Sequence, residues 1–232
     1  KKNSCFYMHI VVSDEPAPAV NCENVLGIDR GLWNIAVISA GRFFSGRQAM
    51  HKRNVLASRR AKLQSKGTKS AKRRLKQLSG REARWMQDVN HCVSKAIVRD
   101  AVLTKSMIVL EDLKGIRERI KRYSRELNRK IHSWAFAQLG DFIKYKAQKY
   151  GIPVVEIPPE NTSRTCTSCG FVSKDSRSGA HFQCVSCGYR SPADLSAARA
   201  IAEGYIRSVR AAVNQPMVSA YHSDVSGTSQ RL

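Results

Sequence analysis

Two sets of side chains in this 232-residue chain have the types and spacing to do chemistry. Cys166, Cys169, Cys184 and Cys187 form C-x-x-C, fourteen residues, C-x-x-C, and each pair runs directly into a glycine, Gly170 or Gly188. Two residues between thiols let both sulfurs reach one ion while neighbouring amides bond them. Four thiolates then close a tetrahedral zinc shell that has no open position. One structural Zn²⁺ is therefore expected, organising a small ribbon and taking no part in catalysis; a redox dithiol or an iron site is the alternative. Cys5, Cys22 and Cys92 are scattered, and the odd total suits a reducing, cytoplasmic compartment better than a disulfide framework. They read as small core residues.

The second set is acidic, in a chain where 40 Lys and Arg outnumber 18 Asp and Glu and the net charge is +22. Asp29 follows Val-Leu-Gly-Ile, Glu111 follows Met-Ile-Val-Leu, and Asp194 opens an Ala-rich stretch after the second cysteine pair. Burying one unpaired carboxylate is costly, and three convergent ones repel one another. A divalent cation resolves both problems. Hard oxygen ligands from separate elements, completed by water and substrate phosphate, suit Mg²⁺. Two such ions hydrolyse a phosphodiester by in-line attack. In that reading Asp29 bridges the ions and Glu111 and Asp194 each hold one side. Structural roles stay open beside it. Asp29 could sit in a turn, and Glu111 or Asp112 could cap the next segment. Asp194 could serve a helix start, with Ser191 at the N-cap, Pro192 first in the helix and the acid complementing the dipole.

Positioning these groups requires a sheet. FYMHIVVS (6–13) alternates like an edge strand and 14–24 reads as a linker. Residues 25–46 read as a three-stranded antiparallel meander. From 42 to 84 fifteen Lys or Arg stand against one acid, Glu82, with helical spacing such as Leu75 and Leu78. A stronger helix follows over 84–103, with Met86, Val89, Val93, Ile97 and Ala101 on one stripe. SMIVLEDL (106–113) and GIPVVEIPP (151–159) are continuous apolar runs, as buried parallel strands are. A basic stretch and a helix striped by Ala135, Leu139, Phe142, Ile143 and Tyr150 lie between them. The expected fold is a mixed α/β sheet, antiparallel on one side and parallel on the other, with a cysteine module inserted before the last helix.

The charge implies a polyanionic partner, and nucleic acid is the usual one. No apolar run approaches the ~20 residues of a membrane span.

The segments GIDRGLWNIAVIS, IVLEDLKGI and TSRTCTSCG…FQCVSCGYRSPADLSAARAIA, in this order, resemble the three RuvC motifs and zinc ribbon of the TnpB family. These are transposon-encoded RNA-guided DNA endonucleases, related to type V CRISPR effectors. The resemblance spans about residue 25 to 213. It implies an RNase H-like α/β fold, with Asp29, Glu111 and Asp194 as the Mg²⁺-binding catalytic triad. It implies guide RNA and target DNA as partners, with sequence choice left largely to base pairing. Arg59, Arg60, Lys62, Lys72, Arg73, Arg74, Lys76 and Arg122 would then grip phosphates without reading sequence. The implied organisation is as follows. Residues 1–24 end a wedge-like domain whose beginning is missing. Residues 25–159 form the RuvC-like nuclease with a basic helical insertion at 42–103, 160–190 the zinc ribbon, 191–213 the last nuclease helix and 214–232 a flexible tail. A monomer is expected. The chain departs from the family in its short N-terminal region and in Ser196, where an Asn is common two residues after the last acid. The competing readings are a non-catalytic zinc-ribbon binder of DNA or RNA, or a nuclease-impaired relative, and a strand-transferring transposase.

Overall fold

The computed structural model describes residues 17–113 and 136–213, with the isolated positions 8, 10 and 15. The predicted strand over 6–13 (those positions aside), Cys5, Arg122 with its basic stretch, Ala135 and the tail lie outside the described residues.

Five strands form one sheet in the order β3-β2-β1-β4-β5. β1 (Asn24–Asp29), β2 (Asn34–Ile38) and β3 (Phe43–Ser45) are the antiparallel meander. β4 (Ser106–Glu111) runs parallel to β1, and β5 (Val154–Ile157) parallel to β4. Between β3 and β4 come three helices, α1 (Arg47–Lys66), α2 (Lys69–Leu78) and α3 (Arg81–Leu103). α4 (Phe136–Gln148) precedes β5, and α5 (Ala193–Val213) closes the described chain. The three-stranded ribbon sheet, β6 (Arg177–Ser178), β7 (His181–Gln183) and β8 (Arg190–Pro192), is inserted between β5 and α5. No helix among the described residues is long and apolar enough to cross a membrane.

Strand alternation decides what each face of the sheet carries. Leu26 and Ile28 of β1, with Ile108 and Leu110 of β4, bury into a core shared with Ile97 of α3 and Leu139 of α4. The residues between them face the other way. There a Cβ at Gly27 would lie 2.6 Å from the backbone nitrogen of Ala202 and would also strike the Ala198 carbonyl. α5 therefore lies on β1 at backbone contact, which its small residues Ala198 and Ala202 permit. By the same parity Asp29 and Glu111 project from the face that α5 covers. The acids thus leave the sheet on the α5 face, whose contacts include buried Val109 and Ile201, and not on the face of the larger core.

Three local expectations differ. α4 ends at Gln148, so Tyr150 falls in the turn beyond it and is 58% exposed instead of extending the stripe. Cys92 is exposed and Cys22 only half-buried, so neither is a core residue. Ser191 does not cap α5. It belongs to β8 opposite Phe182, and its hydroxyl bonds the Pro192 carbonyl. Sheet pairing carries the chain through Pro192, so the helix starts at Ala193 and Asp194 is its second residue.

Candidate active site

Asp29 ends β1 and Glu111 ends β4. The two strands are parallel neighbours in register through Ile28 and Leu110, so the acids leave the sheet side by side at its carboxyl edge. Asp194 reaches the same place from the first turn of α5. Each carboxylate is held differently. The Asn34 amide donates to Asp194 Oδ2 at 2.8 Å, and Arg177 of β6 donates to Oδ1 at 3.3 Å. The Thr162 hydroxyl donates to Glu111 Oε1, and the Arg30 guanidinium donates to the Glu111 main-chain carbonyl.

Asp29 is the group most disturbed. Burial, then the charges of Glu111 and Asp194, push its carboxyl from 3.8 to about 7, against the pull of Arg177 and Arg30. Burial also raises Glu111, while the Thr162 hydroxyl, Arg30 and Arg177 hold it back. The three acids thus form one electrostatic unit with more negative charge than its surroundings neutralise, which is the condition a divalent cation relieves. All of the ligand atoms on offer are hard oxygens, the donor set that suits Mg²⁺. Sequence reasoning missed Arg30, Asn34, Thr162 and Arg177. Arg30 and Asn34 flank Asp29 within one motif, but nothing local marks Thr162 or Arg177, which the ribbon brings in from a distance.

The four cysteines are the one group of three or more acidic, His or Cys ligands among the described residues whose ligand atoms all lie within 4.8 Å of one another. Cys166 and Cys187 sulfurs are 3.7 Å apart, and those of Cys169 and Cys184 are 3.6 Å apart. Tetrahedral Zn–S bonds of about 2.3 Å place sulfurs about 3.8 Å apart, so the cluster fits that ion. Both knuckles share a design. Cys166 N–H bonds the Phe171 carbonyl at 2.8 Å and Gly170 N–H bonds the Cys166 carbonyl at 2.9 Å. Cys184 N–H bonds the Tyr189 carbonyl at 2.9 Å and Gly188 N–H bonds the Cys184 carbonyl at 3.0 Å. Gly170 and Gly188 take φ of +77° and +74°, which suits glycine alone. The backbone N–H of Cys187, with that of Ser186, draws the Cys184 thiol down to about 6, toward the thiolate a metal needs.

Of the predicted phosphate-gripping residues, Arg59, Lys62 and Arg74 line one cleft of about 530 Å³ with Arg81, and none of the four is in an ion pair among the described residues. Lys72, Arg73 and Lys76 are exposed on α2. Arg60 is half-buried and bonded to Glu82 at 2.9 Å, so part of its charge is already spent inside the fold.

Comparison with known proteins gives this chain relatives of sequence and fold. A family described as "Cas12f1-like, TNB domain" matches residues 136–201, and one described as "Probable transposase" (OrfB_IS605) matches residues 9–114. Over these stretches the chain is similar to TnpB-like and Cas12f1 proteins. A TnpB-like protein of Methanocaldococcus jannaschii is 36% identical over 96 residues, 41% of this chain and 34% of that protein. The CRISPR-associated endodeoxyribonuclease Cas12f1 of Sulfoacidibacillus thermotolerans is 31% identical over 222 residues, 87% of this chain and 50% of that protein. A cryo-EM structure of a Cas12f1–sgRNA–target DNA complex aligns with a TM-score of 0.62 at 22% identity, over 83% of this chain and 52% of that one. The likeness is one of fold. The chain spans about half the length of that Cas12f1.

Proposed function

We propose that this chain is the nuclease portion of an RNA-guided DNA endonuclease, an RNase H-like (RuvC) domain that hydrolyses phosphodiesters with two Mg²⁺ and carries one structural Zn²⁺. The observation that carries the reading is the convergence of Asp29, Glu111 and Asp194 at one edge of the sheet, with the Asp29 carboxyl raised to about 7. The names of the relatives support the partners, guide RNA and target DNA, and an endodeoxyribonuclease activity.

In this reading Asp29, Glu111 and Asp194 would hold the Mg²⁺ ions, which would supply charge neutralisation at the phosphate and a bound water more acidic than bulk water. The protein's part is placement. Asn34 fixes Oδ2 of Asp194, leaving Oδ1 to Arg177, and Thr162 fixes Oε1 of Glu111, so each of these two acids is oriented by partners from other elements. Arg177 carries a positive charge to the same edge and would donate to a non-bridging oxygen of the scissile phosphate in exchange for its 3.3 Å contact with Asp194. The cleft of Arg59, Lys62, Arg74 and Arg81 offers a separate backbone grip, with affinity that falls as salt rises. Cys166, Cys169, Cys184 and Cys187 hold the zinc, which fixes the ribbon that delivers Arg177.

The purified chain with Mg²⁺ is expected to cleave single-stranded DNA, and Asp29→Ala or Glu111→Ala to abolish the cleavage. Wild type and both variants equally inert, with guide RNA and a relative's N-terminal region supplied, would give the non-catalytic binder reading instead.

A further inference from the structure

Two apolar residues lie side by side in the bend between β1 and β2, and the fold treats them oppositely. Leu32 packs against the core, whereas Trp33 is 71% exposed. The bend that holds them is tied at both ends. Gly31 N–H bonds the Asn34 carbonyl at 3.1 Å, and Gly46 N–H bonds the Trp33 carbonyl at 2.8 Å. Gly46 comes so close that a Cβ there would lie 2.8 Å from the carbonyl oxygens of both Leu32 and Trp33. Trp33 is therefore a large flat side chain on a fixed backbone, with most of its surface left in water. Its neighbour on one side, Asn34, bonds Asp194; four residues back stands Asp29. Trp85 makes the contrast, being half-buried against the core with Lys52 over its ring at 4.2 Å. An exposed indole on a fixed backbone, on the residue just before the Asn34 that bonds Asp194, in a chain of net charge +22, is suited to a ligand with both a flat apolar face and negative charge.

Resting on the nuclease reading, we propose that Trp33 is a stacking platform for one base of the single-stranded DNA entering the carboxylate site. The ring takes the face of a base next to the scissile phosphate, and this sets how far the strand advances past Asp29 and Asp194. Stacking on an aromatic ring tolerates every base, so the platform adds grip and register without sequence choice.

The chain has three tryptophans, Trp33, Trp85 and Trp134, so Trp85→Phe with Trp134→Phe leaves Trp33 as the sole indole reporter. In that background, without divalent metal, an oligo-dT single strand is expected to quench the fluorescence. An abasic strand of equal length and charge should not. Removing one stacked base by Trp33→Ala should weaken oligo-dT binding by about 5- to 150-fold, with Trp33→Phe restoring most of it. In cleavage assays the same Trp33→Ala chain should show a raised KM and an unchanged melting temperature. Equal quenching by the abasic strand, or unaltered oligo-dT affinity in Trp33→Ala, overturns the platform. A failed nuclease reading looks different: no cleavage by any chain, with base-dependent quenching intact.

Discussion

The cysteine cluster has four ligand residues and the carboxylate cluster three, yet among the described residues only the cysteines stand at ligand spacing. Charge and chain distance account for the difference. Thiols can sit neutral, and each knuckle is built by its own backbone within six residues, so two preformed halves need only meet. The acids come from β1, β4 and α5, two of them are held by Asn34, Arg177 and Thr162 from elsewhere, and burial, then the charges of Glu111 and Asp194, raise Asp29 to about 7. The lesson is one of sign: a metal would complete the ribbon as it stands, whereas at the acid edge a cation would relieve a carboxyl that burial and its neighbours disfavour as an anion.

The largest effect should come from zinc. Removing it by a strong chelator, or by Cys184→Ser, should unfold the ribbon, since a structural zinc contributes on the order of 10 kcal/mol to such modules. Elemental analysis and hydrogen exchange over residues 160–192 would read this. A folded wild-type chain with no zinc breaks the comparison.

Substitution at the acid edge should do the reverse. With a folded pKa of about 7 against 3.8, Asp29 binds more protons in the folded than in the unfolded state between those values. The metal-free chain should therefore lose stability as pH rises from about 4 to about 7. Asp29→Asn should flatten that slope and stabilise the metal-free protein at pH 8 by a few kcal/mol while abolishing cleavage. Urea melts at several pH values measure it, and a slope retained in Asp29→Asn would remove the strain from this residue.

Gly27→Ala tests whether the edge depends on backbone contact between β1 and α5. The added methyl meets the Ala198 carbonyl and the Ala202 nitrogen, so a loss of about 1–3 kcal/mol and a fall in activity are expected without loss of zinc. The smallest effect is that of Thr162→Val. It removes the hydroxyl that lowers the Glu111 pKa, so the acid limb of the cleavage profile should move to higher pH. An unmoved limb would assign Thr162 a packing role only.

Much of this was legible in the sequence because it is periodic or local. Continuous apolar runs announced β4 and β5, although β5 lies at the sheet edge with all four residues only half-buried, not buried as its composition suggested; the stripe from Met86 to Ala101 announced α3, and C-x-x-C-G twice announced the knuckles. The start of α5 was misread because Ser-Pro-Ala-Asp is good helix-cap chemistry in isolation, while strand pairing across the ribbon claims Ser191 and Pro192 first. Thr162 and Arg177 were invisible for a related reason: their roles arise only when the ribbon folds back over the sheet edge. Arg60 shows the limit of reading charge as a surface, since a lone Glu82 turns it into an internal strut.

The join between β8 and α5 has a further consequence. No linker separates them, and Ala193 N–H bonds the Ala180 carbonyl at 2.9 Å within the ribbon. A helix that began one residue earlier or later would turn Asp194 by about 100° and shift it by about 1.5 Å. On the proposed reading, the ribbon then behaves as one input of a coincidence gate. Zinc sets the phase of the helix, magnesium uses the oxygens that this phase presents, and cutting requires both.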